Sequence, residues 1–190
     1  MADAGRIIAG VARGIRLEAP GPATRPLADR VKETLFAILE PDLQGANVLD
    51  LFAGSGAAGL EALSRGAAHA MFVERDKGAA AAIAANLART HLAGERARVV
   101  RAEAIAWLHG PDAVAAAPFD IVIVDPPYAE TGLLAAALDA LGPLLAPGAR
   151  VVAKHFWRDP PPARGGLLAS ERERRFGETT LTFYRRQEER

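Results

Sequence analysis

From residue 46 onward, short runs of Val, Ile, Leu and Phe alternate with longer alanine-rich stretches, and this alternation constrains the fold more than any other feature. VLDLF (48–52), AMFVE (70–74), ARVV (97–100), FDIVIVD (119–125) and ARVVAKH (149–155) read as strands; 57–65, 77–92, 103–109 and 132–145 read as helices. Strands that are almost continuously apolar are buried on both faces, and the helices between them are the crossovers of a parallel sheet. The expected class is α/β: a Rossmann-like, mostly parallel twisted sheet with helices on both faces. The last stretch, LLASERERRFGETTLTFYRR, breaks the rhythm and reads as two strands around Phe176-Gly177, a closing antiparallel hairpin. DPPPARGG (159–166) before it reads as loop.

The first 40 residues have a different texture. RIIAGVARGIRL (6–17) reads as a small β-hairpin around Gly10 and Gly14, and the proline-rich stretch 18–26 as a linker. Leu27, Val31, Leu35, Ile38 and Leu39 then mark one face of a helix, which Pro41 is expected to stop. The chain divides on this reading into an extension, 1–40, and an α/β domain, 41–190, within a length of 190 residues that suits one ordinary domain.

Composition narrows the classes of function. Half the residues are apolar and 24% are charged, a globular balance. The absence of Cys excludes disulfides, a thiolate zinc site and a cysteine nucleophile. His69, His91 and His109 show no metal-ligand spacing, so no metal is expected. No apolar run is long enough to span a bilayer, and MADAGRIIAG lacks the layout of a secretory signal, so the expected compartment is the cytoplasm. The net charge of zero hides an asymmetry. Residues 1–32 carry six basic side chains against three acidic ones, 41–157 nine against twelve, and 158–190 eight against six. Basic ends on an acidic middle suit an anionic partner that touches the ends.

Two motifs carry chemistry. Asp50-Leu51-Phe52-Ala53-Gly54-Ser55-Gly56-Ala57-Ala58-Gly59 follows a strand and opens a helix. Gly54-x-Gly56-x-x-Gly59 alone fits a dinucleotide loop, an S-adenosylmethionine loop or a tight structural turn. An acid at Asp50 suits a donor with a sulfonium and an amine better than a pyrophosphate. Glu74, ending the next strand beside Arg75, can accept from a ribose diol. Glu103-Ala104 is either a contact to adenine or an acid at a helix N-terminus.

The second motif, Asp125-Pro126-Pro127-Tyr128, ends the fourth strand of the alternating part. Two prolines fix two φ angles and remove two donors. Asp125 and the Pro126 carbonyl, both acceptors, suit an exocyclic amine on a base, and Tyr128 can stack on a base drawn out of its helix. Trp107 and Trp157 read as packing residues. Ser55 and Ser64 lack a partnered His, and His155 is a weak candidate for a base because the amine proton can pass to water.

DLFAGSGAAGLEALSRGA, FVERD and FDIVIVDPPY together resemble the class I S-adenosylmethionine-dependent amino-methyltransferases. RIIAGVARGIRL and TRPLADRVKETLFAIL further resemble the RsmD family of bacterial 16S rRNA guanine-N2 methyltransferases, over about Arg6 to Tyr184. The resemblance implies Asp50, Phe52, Ala53, Gly54, Gly56, Glu74, Arg75, Glu103 and Ala104 at the donor, and Asp125 to Tyr128 at the target amine. It implies Arg6, Arg13, Arg16, Arg25, Arg30 and Lys32 toward 16S rRNA, in an assembled or assembling small subunit, and a monomer without obligate protein partner. Val152-Ala153-Lys154-His155 departs from the family pattern, which often has an acid there. Three rivals stay open: a DNA amino-methyltransferase, for which the chain has no spare target-recognition insertion; a NAD-dependent oxidoreductase, for which no hydride-site residues stand out; and a non-catalytic ribosome-assembly factor.

Overall fold

The computed structural model describes residues 3–21, 28–130 and 132–187. Their elements are β1 (Asp3–Arg6), β2 (Arg16–Glu18), α1 (Asp29–Leu43), β3 (Asn47–Leu51), α2 (Ala57–Ser64), β4 (His69–Glu74), α3 (Lys77–Arg89), β5 (Ala97–Arg101), α4 (Ala104–Leu108), α5 (Pro111–Ala116), β6 (Phe119–Val124), α6 (Leu133–Leu141), β7 (Leu145–Phe156), β8 (Arg164–Gly165), β9 (Leu168–Phe176) and β10 (Thr179–Arg186).

Eight strands form one sheet in the order β5-β4-β3-β6-β7-β10-β9-β8. The members from β5 to β7 run parallel, and β10 returns antiparallel against both β7 and β9. The mostly parallel sheet and its closing hairpin are as the apolar pattern implied. One face packs on α1, α2 and α3 through Leu35, Phe36, Leu60, Phe72, Ile83 and Ile121. The other packs on α4, α5 and α6 through Leu51, Trp107, Phe119, Val122, Leu138 and Tyr184. The chain winds outward from β3 to β5, then crosses back to β6. That reversal leaves a crevice at the carboxyl ends of β3 and β6, where open α/β sheets bind ligands. Register places Leu51 beside Val124, and the Asp125 N–H donates to the Leu51 carbonyl at 3.3 Å. The two motif loops therefore leave the sheet side by side.

Local differences from the sequence reading have local causes. Pro41 sits inside α1 and does not stop it. Its missing donor falls in the last turn, and buried Leu39 and Leu43 hold that turn to the core. α5 is too short for periodicity to mark it, and β8 lies in the segment read as loop. The boundary expected after residue 40 cuts α1, whose Val31, Leu35, Phe36 and Leu39 share one core with the sheet.

The N-terminal hairpin is docked onto α2 through polar groups. The Ile8 and Ala9 amides donate to the buried Glu61 carboxylate at 2.8 and 3.0 Å, and Arg65 Nε adds a third bond at 2.8 Å. The Ala12 amide donates to Ser64 Oγ at 3.0 Å, and the Val11 amide to the Ser64 carbonyl at 2.9 Å. Gly10 makes this approach possible: its φ is +84°, and a Cβ there would stand 1.8 Å from the Ser64 carbonyl oxygen. Gly10→Ala is expected to cost at least about 1–3 kcal/mol from the positive φ alone, with the clash added. Urea unfolding and loss of hydrogen-exchange protection at Ile8, Ala9 and Ala12 check it; an unchanged midpoint contradicts it.

Candidate active site

The glycine loop leaves β3 through a strained residue. Phe52 has φ +63°, a left-handed conformation uncommon outside glycine and costly for an aromatic side chain. Hydrogen bonds on both sides hold it. The Ala53 amide donates to the Val73 carbonyl at 3.1 Å, and the Gly54 amide donates to Glu74 Oε2 at 2.9 Å. Gly54 and Gly56 have φ +56° and +75°. Gly56 and Gly59 also serve packing: a Cβ at Gly59 would meet the Phe72 ring at 2.3 Å, and one at Gly56 would meet Ile83 at 3.1 Å. The spacing thus lets α2 lie close on β4 while its N-terminus opens toward the crevice.

Asp50 and Glu74 are the carboxylates of this half. Asp50 is buried, and its Oδ2 accepts the Gly59 amide at 2.8 Å, fixing the first turn of α2. Burial pushes the Asp50 carboxyl up to about 8; the Gly59 hydrogen bond opposes the rise, and the nearby charges of Asp125 and Glu74 add to it. Glu74 accepts the Gly54 amide on one oxygen and the Asp76 amide, at 2.8 Å, on the other. A carboxylate has about four acceptor positions, so it keeps capacity for a diol. Glu103, by contrast, caps α4: it accepts the Ile105 and Ala106 amides at 3.2 and 2.7 Å, and Ala102 and Ala104 line the crevice instead. The helix-terminus reading of Glu103 is the one its side chain follows.

These groups line one cavity of about 890 Å³ together with Asp125, Pro126, Pro127 and Tyr128. It is a size typical of small-molecule sites. The Pro126 carbonyl accepts from no donor among the described residues. The Glu130 amide donates to the Pro127 carbonyl at 3.0 Å, closing a turn, and Arg75 pairs with Glu130 from the far side of the crevice. Tyr128 is 40% exposed, and its hydroxyl lies 3.2 Å from Thr179 Oγ1.

Lys154 is the cavity residue that sequence reasoning did not place beside Asp125. Its Nζ donates to both Asp125 oxygens, at 2.6 and 2.9 Å, and lies 5.1 Å from the Tyr128 ring centroid. Burial works against the ammonium, but the Asp125 carboxylate beside it holds Lys154 above the ordinary lysine range. Burial pushes the Asp125 carboxyl up, and Lys154 opposes that push. Only the departure from the family pattern at this position hinted at the pair.

Other candidates fall elsewhere. His155 is buried outside the cavity, with Nδ1 2.9 Å from the Phe156 carbonyl and Nε2 2.8 Å from Thr182 Oγ1. Trp107 packs on Phe119, as read, whereas Trp157 lies half-buried at the surface among arginines and is not a core residue. Of the residues expected toward RNA, Arg6 and Arg16 are paired with Asp29 and Asp3 at 3.0 and 2.8 Å. Lys32 is fully buried and donates to the Arg6 carbonyl, so it packs the hairpin on α1 and faces no partner. Arg13 and Arg30 are exposed, and Arg25 lies outside the described residues.

The raised Asp50 pKa has a defined consequence for stability. Between about pH 4 and 8 the folded state keeps a proton on Asp50 that the unfolded chain has released. This contribution is complete below about pH 4 and is lost as pH rises through about 8. Asp50→Asn keeps an acceptor for the Gly59 amide but cannot titrate. Its urea-unfolding free energy is expected to fall less steeply over this range than that of the parent chain; equal slopes contradict the assignment.

Comparison with known proteins agrees with this geometry. A Bacillus subtilis protein with the provisional name rRNA methyltransferase YlbH is 38% identical over 184 residues, which are 95% of this chain and 98% of that protein. Ribosomal RNA small subunit methyltransferase D of Escherichia coli is 46% identical over 137 residues, 72% of this chain and 66% of that one. A solved Escherichia coli structure, provisionally described as methyltransferase yhhF, aligns over 97% of this chain and 98% of its own, with TM-score 0.81 and 38% identity. The family model described as Conserved hypothetical protein 95 matches residues 5–185, from β1 into β10. The chain belongs to that family, the RsmD family.

Proposed function

We propose that the chain transfers a methyl group from S-adenosylmethionine to the exocyclic N2 amine of a guanine in small-subunit ribosomal RNA. The observation that carries this is the meeting of two loops in one cavity. The acceptors of the glycine loop line one end, and Asp125 on its proline-stiffened loop lines the other. The residues present fit the donor: Glu74 suits a diol, the carboxyl oxygens of Asp50 can accept a hydrogen bond from an amine even while Asp50 keeps its proton, Ala102 and Ala104 offer an apolar wall to an adenine, and the loop offers no cation to a pyrophosphate. The names of the Bacillus and Escherichia relatives give the same substrate class.

S-adenosylmethionine supplies an electrophilic methyl carbon. The chain's own residues have to orient the amine. The amine lone pair is delocalised into the guanine ring, and hydrogen bonds donated to Asp125 and the Pro126 carbonyl draw the nitrogen toward tetrahedral geometry. Its lone pair would then be presented to the methyl carbon that the donor supplies, and the surplus amine proton would leave to water. Lys154 favours the ionised form of Asp125 against its burial and fixes the direction of its oxygens. Tyr128, braced by Thr179, stacks on the extruded base. We take the substrate to be the RNA of the assembled or assembling subunit, and the enzyme to act on it in the cytoplasm as a monomer.

Asp125→Ala is expected to lower methyl transfer by about 10²-fold or more, as removal of a positioning group does, with S-adenosylhomocysteine binding nearly unchanged. Lys154→Met strips the cation from a partly buried carboxyl, so the acidic limb of the pH–rate profile should move to higher pH. Titration calorimetry and single-turnover rates check both. Equal loss of donor binding in Asp125→Ala contradicts the assigned role.

A further inference from the structure

The cavity mouth continues into a surface that the site itself does not use. The Tyr128 and Phe156 rings lie 6.3 Å apart, and the Phe156 and Trp157 rings 6.2 Å apart, so aromatic groups step outward from the base pocket. At the end of the series two guanidiniums lie against one indole: Arg175 is 3.9 Å and Arg158 4.8 Å from the Trp157 ring centroid. Both arginines are exposed, and neither forms an ion pair among the described residues. The turn between β9 and β10 fixes the arrangement. Arg175 Nε donates to the Gly177 carbonyl at 2.9 Å, and the Trp157 amide donates to the Glu178 carbonyl at 3.0 Å.

We infer that Phe156, Trp157, Arg158 and Arg175 form a binding platform for the unpaired RNA nucleotides that flank the target base. This rests on the reading of the cavity as the pocket for an RNA nucleotide. Two exposed guanidiniums without a carboxylate partner among the described residues are held at one ring, and a phosphodiester supplies the anion they lack. Aromatic faces beside a cationic groove are the general means of holding single-stranded nucleic acid. The N-terminal hairpin is the weaker candidate for this contact, because Arg6 and Arg16 are already matched to carboxylates and Arg13 alone is left exposed without one among the described residues. The aromatic steps favour RNA over an acidic protein face, which needs charge alone.

The test uses the full chain and a fluorescein-labelled oligouridine of twelve nucleotides, which contains no target guanine. Arg158→Gln with Arg175→Gln is expected to weaken its binding about tenfold. The same change should reduce the slope of log affinity against log salt by about 1.4, as two lost phosphate contacts on a single strand require. Melting temperature and S-adenosylhomocysteine affinity should stay unchanged. In a Trp107→Phe background Trp157 is the sole tryptophan, and oligouridine should quench its emission. An unchanged slope and no quenching overturn the proposal, as does an oligouridine that the parent chain does not bind. Loss of association with small subunits but not with oligouridine would assign the arginines to a protein face and also overturn it. A chain that binds oligouridine through these arginines but never S-adenosylhomocysteine would leave the platform standing and remove the methyltransferase reading.

Discussion

Carboxylates that accept backbone amides hold the working end of this molecule together. The loops at the carboxyl ends of β3 and β4, and the hairpin ahead of α1, are irregular and leave N–H groups without strand partners. Asp50 takes the Gly59 amide, Glu74 takes those of Gly54 and Asp76, and Glu61 takes those of Ile8 and Ala9. A buried amide left unmatched costs about 1–3 kcal/mol, so these acids decide which loop shapes survive. They also permit the left-handed Phe52, whose strain would otherwise relax.

Two of the acids face the cavity as well as the backbone. Asp50 meets the first helical turn with one oxygen and lines the cavity, and Glu74 keeps acceptor capacity beyond the loop amides. Across the cavity, Asp125 depends on a partner of its own. Lys154 reaches it from β7, the next strand in the sheet, because parallel register sets β6 and β7 side by side. Burial favours the neutral form of Asp125, and the ammonium of Lys154 works against that rise. An acid at position 154 would have set two like charges there, whereas Lys154 holds the Asp125 oxygens by attraction.

The layered fold was legible because buried parallel strands leave continuous apolar runs, and the glycine loop and Asp125-Pro126-Pro127-Tyr128 were legible because backbone constraints leave glycines and prolines in sequence. Contacts between distant side chains leave no such trace. Nothing in the spacing of Lys154 and Asp125 marks them as partners. Lys32 looked like a surface cation and is packed under the hairpin, since a helical face shows which residues are apolar but not which polar ones are covered. Trp157 reads as a packing residue and stands half-buried at the surface, because aromatic identity does not state depth. Glu103 reads equally as a ligand contact or a helix cap, and only the folded chain shows it accepting the Ile105 and Ala106 amides.

The central claim is a methyl transfer to guanine N2 within small-subunit RNA. Its most direct test offers labelled S-adenosylmethionine with unmodified small subunits, naked 16S rRNA and duplex DNA in parallel, and identifies the product nucleoside by mass spectrometry. The account predicts N2-methylguanosine on the subunit or its RNA. Label confined to DNA, or no label with S-adenosylmethionine shown to bind, would contradict it.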